Sequence, residues 1–158
     1  MNIRLDEFDR KLLAKVQKDC RTPAEQLAQQ VGLSTAAVHR RLKRLRDSGY
    51  ITAEVAVLDP RKLNKSMTFI VSLEVERERL DLLDELKKEL NSIPNVQQCY
   101  YVTGDYDFIL IVKAANMDEF EAFTHQSFFG NTNVRRFKTS VVMSEVKTTL
   151  EVPMNFDE

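Results

Sequence analysis

Residues 33–46 read LSTAAVHRRLKRLR, and this stretch decides how the first part of the chain folds. Val38, Leu42 and Leu45 recur at helical spacing, which predicts a helix with one side against a core. Ser34 stands where its hydroxyl can accept a hydrogen bond from the first exposed amides, so we expect the helix to begin there. The other side of this helix is cationic.

A cationic helix face has two interpretations. Most charge runs are solvated surfaces. Guanidinium and ammonium groups on one side also bind phosphates strongly, and small residues at the helix start let the backbone approach base edges. In that second interpretation the DNA-contacting residues are Ser34, Thr35, Ala36, His39, Arg40, Lys43 and Arg44.

Two helices predicted before this stretch favour the DNA interpretation. Apolar residues at helical spacing between Leu5 and Val16 predict the first helix. Pro23 opens the second, because proline has no amide hydrogen to lose in a first turn, and Gly32 supplies the tight turn before the third. Three helices in this arrangement are typical of a helix-turn-helix.

The net charge conceals a division of the chain. It is -1 for all 158 residues, but residues 1–66 carry a balance of +6 and residues 67–158 a balance of -7. Such asymmetry indicates a charged-ligand module joined to a second module. β-Forming residues from Tyr50 to Leu58 predict a short wing or linker strand. We therefore expect a helix-turn-helix domain over 1–50, a linker strand and hinge over 51–66, and a second domain over 67–158.

The second domain is predicted to be ferredoxin-like, because its apolar patterns follow the order strand, helix, strand, strand, helix, strand. The expected strands cover residues 67–75, 96–103, 107–113 and 134–146. The first helix follows the first strand and is stopped by Pro94-Asn95, and the second helix covers residues 117–128. The inner face of the first of these helices is expected to carry Leu80, Leu83, Leu86 and Leu90. The fold class is thus α+β, with an N-terminal winged helix-turn-helix domain and a C-terminal ferredoxin-like βαββαβ domain.

One predicted strand is apolar on both faces. It reads Phe108-Ile109-Leu110-Ile111-Val112, although helices can cover only one face of such a sheet. The economical cover for the other face is a second copy of the same sheet. The sequence therefore predicts a homodimer with a symmetric interface.

Composition and motifs argue against several classes of protein. No apolar stretch reaches the roughly 18 residues of a membrane-spanning helix, and the N-terminus lacks the apolar region of a secretory signal. Cys20 and Cys99 have no metal-ligand spacing, which favours reduced thiols in a cytoplasmic protein over a regulatory disulfide. The two histidines, His39 and His125, fall in different predicted domains, and no nucleophile motif is present. We expect no catalysis, metal or cofactor.

Several short motifs occur along the chain in an informative order. They are Leu5-Asp6, Asp9-Arg10-Lys11-Leu12-Leu13, Val31-Gly32-Leu33-Ser34, Arg41-Leu42-Lys43-Arg44-Leu45, Gly49-Tyr50-Ile51, Gly104-Asp105-Tyr106-Asp107 and Val141-Val142-Met143-Ser144-Glu145-Val146-Lys147. In this order the chain resembles, over almost its whole length, the leucine-responsive regulator and asparagine-regulator (Lrp/AsnC) family of prokaryotic transcription factors.

The resemblance implies dimers that often associate into octamers, binding to double-stranded DNA, and a response to a small effector, commonly an amino acid. It implies an effector site near the loop 104–107, at contacts between dimers. The implied effector-binding candidates are Thr103, Gly104, Asp105, Asp107, Met117, Ser140, Val141 and Val142. From the residues alone, Gly104-Asp105 could equally build a hairpin and nothing more.

Two further alternatives stay open at this point. Family members often have a Leu-Pro-Gly-Val type exit before the last strand, whereas this chain has Phe129-Gly130-Asn131-Thr132-Asn133-Val134, which leaves octamer formation undecided. The alternative function is an amino-acid-sensing module that acts through protein partners and uses its N-terminal helices for docking. Such a module has no need of Arg40, Lys43 and Arg44 together, which favours DNA.

Overall fold

The computed structural model describes residues 4–77 and 79–154. The chain forms two compact units, Met1–Val57 with Lys147–Glu158 and Leu58–Val146. The C-terminal segment contacts the end of the first helix through two hydrogen bonds between Val152 and Gln17. The Val152 amide donates to Gln17 Oε1 at 3.0 Å, and Gln17 Nε2 donates to the Val152 carbonyl at 3.2 Å. No sequence pattern indicated this contact.

Three helices build the first unit: α1 (Glu7–Val16), α2 (Ala24–Val31) and α3 (Thr35–Asp47). The turn between the last two is set by Gly32 and Ser34. Gly32 adopts φ 74°, where a residue with a side chain would be strained. It ends α2, and its amide donates a hydrogen bond to the Ala28 carbonyl. Ser34 Oγ accepts from the Ala37 amide at 3.2 Å and caps α3. Both predictions for this turn are confirmed.

The predicted strand between Tyr50 and Leu58 is wrong for the single chain. Residues 52–59 pair with no other strand in the described part of the molecule. Val57 and Leu58 are 90% and 65% exposed. A strand needs a neighbour for its backbone hydrogen bonds as well as β-forming side chains, and residues 4–77 and 79–154 supply no such neighbour. The wing is therefore absent from the observed fold.

The second unit is a four-stranded antiparallel sheet with two helices against one face. Its strands are β1 (Met67–Val75), β2 (Val96–Tyr101), β3 (Phe108–Ala114) and β4 (Val134–Val141), arranged in the order β2-β3-β1-β4. The helices are α4 (Leu80–Ser92) after β1 and α5 (Met117–Thr124) after β3. A short 3-10 helix, Pro60–Leu63, precedes β1. The predicted ferredoxin-like order is confirmed.

Three predicted elements end earlier than expected, and the first is β2, which stops at Tyr101 instead of residue 103. α5 stops at Thr124 and continues as a π-helical turn, His125–Phe129. β4 stops at Val141 instead of residue 146, because its pairing with β1 ends near Thr68, to whose carbonyl the Val142 amide donates at 2.9 Å. Leu80 is also misassigned. As the first residue of α4 it is 79% exposed, while the three later leucines of the predicted face are buried.

Glu119 of α5 joins three separate parts of the second unit. Its carboxylate accepts hydrogen bonds from Lys65 Nζ, from Asn95 Nδ2 at 2.7 Å and from the Ala115 amide at 2.8 Å. The lysine and the other two donors lower the pKa of Glu119 to about 2. The ionised carboxylate therefore stabilises the folded state.

Glu119→Gln should lower the free energy of unfolding at pH 7 by about 1–3 kcal/mol. Because the folded pKa lies below the unfolded value, the wild-type advantage is complete above about pH 4.5 and disappears as the pH falls towards 2. Urea unfolding from pH 7 to pH 2.5 measures the difference. Glu121→Gln, an exposed change on the same helix, is the control. A difference that does not change with pH would contradict this role.

Candidate DNA-binding and effector sites

α3 presents its charged side chains away from the core of the first unit. Val38, Leu42 and Leu45 are buried, which confirms the predicted apolar stripe. His39 and Arg40 are exposed, and neither side chain makes a hydrogen bond or ion pair within residues 4–77 and 79–154. These two side chains are available to a ligand.

The remaining candidates for DNA contact differ in their exposure and in whether the side chain forms an ion pair. Lys43 is exposed but bonds Asp47, one turn along, at 2.7 Å. An exposed pair of this kind is weak, so the lysine can exchange it for a phosphate. At the start of α3, Ser34 and Ala36 are exposed and Thr35 is half-buried. These small side chains leave the first turn of the helix approachable.

Arg44, by contrast, is held by a carboxylate of α1. Its Nη2 lies 2.5 Å from Asp9 Oδ2, and Arg41 Nη1 lies 2.7 Å from Asp9 Oδ1. Asp9 is completely buried. Arg44 is therefore not the free cation that the sequence predicted. The acid was missed because it lies 35 residues before Arg44 in the sequence, although an acid pair at a helix start is visible there.

Asp6 and Asp9 also cap α1. The Asp9 amide donates to Asp6 Oδ1 at 2.9 Å and the Asp6 amide donates to Asp9 Oδ2 at 3.2 Å. Partial burial acts to raise the pKa of Asp6, but the Asp9 amide and the Arg41 guanidinium outweigh it, so that pKa is lowered. Hydrogen bonds to Asp9 and Asp6 raise the pKa of Arg41 in turn. The carboxylates of Asp6 and Asp9 thus both cap α1 and bind the arginines of α3.

The effector candidates lie at two places in the second unit. The first is the connection between β2 and β3. Thr103, Gly104 and Asp105 are exposed there, and Gly104 has φ 124°. Asp107 is half-buried, and its carboxylate accepts from the Val75 amide at 2.7 Å. This bond fastens the connection to the end of β1, so Asp107 has a structural role whatever else it binds.

The other candidates lie towards the opposite end of β1. Ser140 and Val141 pair with Ile70 and Phe69, and Met117 begins α5 just beyond the end of β3. Ile70 and Val75 are five residue steps apart along β1, which is about 16 Å. The structure therefore does not bring the two groups of candidates together within one chain.

The sheet face away from α4 and α5, here called the open face, has an apolar middle. Ile70 of β1 pairs with Ile111 of β3, and Ile109, two residues earlier in β3, pairs with Tyr100 of β2. Ile109 and Ile111 are half-buried, while Ile70 and Tyr100 are 37% and 52% exposed. No helix of the described chain covers these side chains.

Ion pairs close both ends of the open face. At one end Lys113 Nζ bonds Glu145 at 2.6 Å, and this lysine lowers the pKa of Glu145. At the other end Glu74 accepts from Arg135 at 2.7 Å and from Arg136 at 2.5 Å. An apolar centre with a polar rim is the pattern of a protein interface.

Sequence reasoning also missed a groove between α4 and β2. Its volume is about 420 Å³, and its lining residues are Lys87, Lys88, Asn91, Cys99, Tyr101 and Phe108. Lys87 Nζ lies 5.0 Å from the centre of the Tyr101 ring. Burial raises the pKa of the Cys99 thiol, which makes it a poor nucleophile or metal ligand.

Among residues 4–77 and 79–154, no three histidine, cysteine, aspartate or glutamate side chains lie together as a metal ion would require. No described helix is both long enough and apolar enough to cross a membrane.

Comparisons with known proteins agree with the two-unit architecture. The family model described as AsnC-type helix-turn-helix domain matches residues 5–46, and the Lrp/AsnC ligand binding domain matches residues 68–152. An HTH-type transcriptional regulator of Sinorhizobium fredii is 47% identical over 95% of this chain and 89% of its own length.

Two solved structures are similar over nearly the whole chain. A transcriptional regulator of Neisseria meningitidis, solved as a complex with L-methionine, has a TM-score of 0.91 and 28% identity, covering 96% of this chain and 98% of its own. An AsnC family regulator of Agrobacterium tumefaciens has a TM-score of 0.89 and 30% identity, with coverages of 94% and 97%. The chain belongs to the Lrp/AsnC family of transcriptional regulators and is not an enzyme.

Proposed function

We propose that this regulator binds specific sequences of double-stranded DNA through α3, and that a small effector, an amino acid, changes its assembly or its DNA affinity. The observation that carries the proposal is the exposed side of α3, where Arg40 and His39 are unpaired in the described chain and Lys43 has only a surface ion pair. Its site of action is the cytoplasm, where the DNA of a prokaryotic cell lies.

The contacts divide by chemistry. Arg40 lies in the first half of α3, which is the part of a recognition helix that reaches base edges. Lys43 carries a point charge suited to phosphate, and Ser34, Thr35 and Ala36 allow a close approach at the helix start. A protein-docking helix would not keep an unpaired arginine beside a lysine, and this favours DNA over the protein-partner alternative.

Arg40→Ala should cost roughly 1–3 kcal/mol for the preferred duplex and reduce the preference for it, because a base-edge contact is lost. Lys43→Ala should weaken all duplexes similarly and lower the slope of log affinity against log salt by about 1. Fluorescence anisotropy with the DNA upstream of the chain's own gene measures both. Lys88→Ala, on α4, is the control. If neither variant of α3 differs from wild type, the assignment of α3 is wrong.

We also propose that the functional unit is a homodimer through the open face. Ile70, Ile109, Ile111 and Tyr100 form a contiguous apolar area that nothing in the described chain covers, with ion pairs at both ends. A second copy offers the same area, and a two-fold axis brings each area onto the other. Association of such dimers into octamers would be a further step of assembly, and the loop 129–134 differs from the family pattern at the place that bears on it.

Ile111→Asp should yield a folded monomer, because the side chain points out of the open face and not into the core. Light scattering at micromolar concentration gives the mass, and circular dichroism checks the fold. Leu80→Asp, at an exposed apolar position on α4, should remain dimeric. A wild-type monomer at this concentration would contradict the proposed interface.

We propose that the effector binds between copies of the chain. Thr103, Gly104, Asp105 and Asp107 lie at least about 16 Å along β1 from the level of Ser140, Val141 and Val142, and Met117 is near the latter group. An amino acid is too short to bridge this distance, so a site that uses both groups takes them from different chains. The relative solved with L-methionine supports an amino acid as the effector. The Asp105 carboxylate is exposed and suits its ammonium group.

Asp105→Asn should weaken amino-acid binding by about tenfold, since it removes the charge that faces the ammonium group while leaving the Asp107 bond to Val75 intact. Calorimetry with L-methionine and the other common amino acids measures binding, and anisotropy measures the effect on DNA. Asp84→Asn, on α4, should behave as wild type. Unchanged binding and an unchanged effect on DNA would make the 103–107 connection a structural hairpin.

A further inference from the structure

Asp9 is the one charged residue of the described chain that is fully buried in the folded protein. Both of its oxygens are occupied, Oδ1 by Arg41 at 2.7 Å and Oδ2 by Arg44 at 2.5 Å and by the Asp6 amide at 3.2 Å. A buried carboxylate without partners is strongly destabilising, so the folded state favours keeping both arginines on Asp9.

The two arginines differ in what else they could reach. The Arg41 side chain is 21% exposed and lies 5.5 Å from the centre of the Phe8 ring, so it belongs to the packing between α1 and α3. The Arg44 side chain is 44% exposed. It follows Arg40 by one helical turn and therefore lies on the same side of α3. Without its partner, Arg44 would extend the cationic surface that meets DNA.

We propose that Asp9 is a positioning residue that keeps Arg44 away from the phosphate backbone and so limits the sequence-independent affinity of α3 for DNA. This inference rests on the proposed DNA-binding function. The physical basis is that each phosphate contact adds affinity for every sequence alike, whereas contacts to base edges distinguish sequences. Holding one guanidinium on an internal carboxylate removes such a contact without removing the positive charge from the helix.

Two variants of the full chain test the proposal. Arg44→Ala should leave the salt slope for a non-specific duplex unchanged, because Arg44 does not contact phosphate. Asp9→Asn keeps the size of the side chain and one acceptor but loses the charge. It should steepen the slope by about 1 and raise non-specific affinity roughly five- to tenfold at 0.1 M salt. The double variant Asp9→Asn/Arg44→Ala should return to the wild-type slope.

Glu25→Gln is the matched control, because it removes one negative charge from the same unit at an exposed position on α2. It should change the slope less than Asp9→Asn does. A lower slope in Arg44→Ala would overturn the proposal even if Asp9→Asn does not fold, as would an increase in Asp9→Asn that persists without Arg44. A wild-type protein that binds no DNA would instead refute the proposed function.

Discussion

The pairing of buried Asp9 with Arg41 and Arg44 is the interaction on which the DNA-facing part of this protein depends. It joins the first turn of α1 to the middle of α3, and the same carboxylate completes the cap of α1. α3 can therefore rotate only if a buried charge loses its partners, which is costly. The exposed side of the helix, with Arg40 and Lys43, is fixed as a consequence.

The second unit is governed by a different constraint, namely that two helices cover only one face of its sheet. The covered face holds a continuous apolar core, and the open face keeps an apolar centre between ion pairs. The proposed homodimer would remove that centre from water. If effector contacts come from different chains, then ligand binding and assembly are linked, since the ligand favours whichever assembly completes its site.

Sequence patterns predicted the elements that depend on local chemistry and periodicity. The Gly32 turn, the Ser34 cap and the order of the ferredoxin-like elements needed only residue type and spacing. The Asp9–Arg44 pair and the Gln17–Val152 contact join residues far apart in sequence, so no spacing revealed them. The prediction of a strand near Val57 was wrong for a related reason, because the part of the chain that the structure describes supplies no hydrogen-bond partner for it.

Selection of bound duplexes from a random pool by the full-length protein at about 0.15 M salt tests whether α3 distinguishes DNA sequences. If α3 reads base edges from a two-fold dimer, repeated rounds should enrich one motif with two inverted half-sites. The same selection with Arg40→Ala should lose information at defined positions of each half-site. Recovery of a pool no different from the input would contradict sequence-specific DNA binding by this protein.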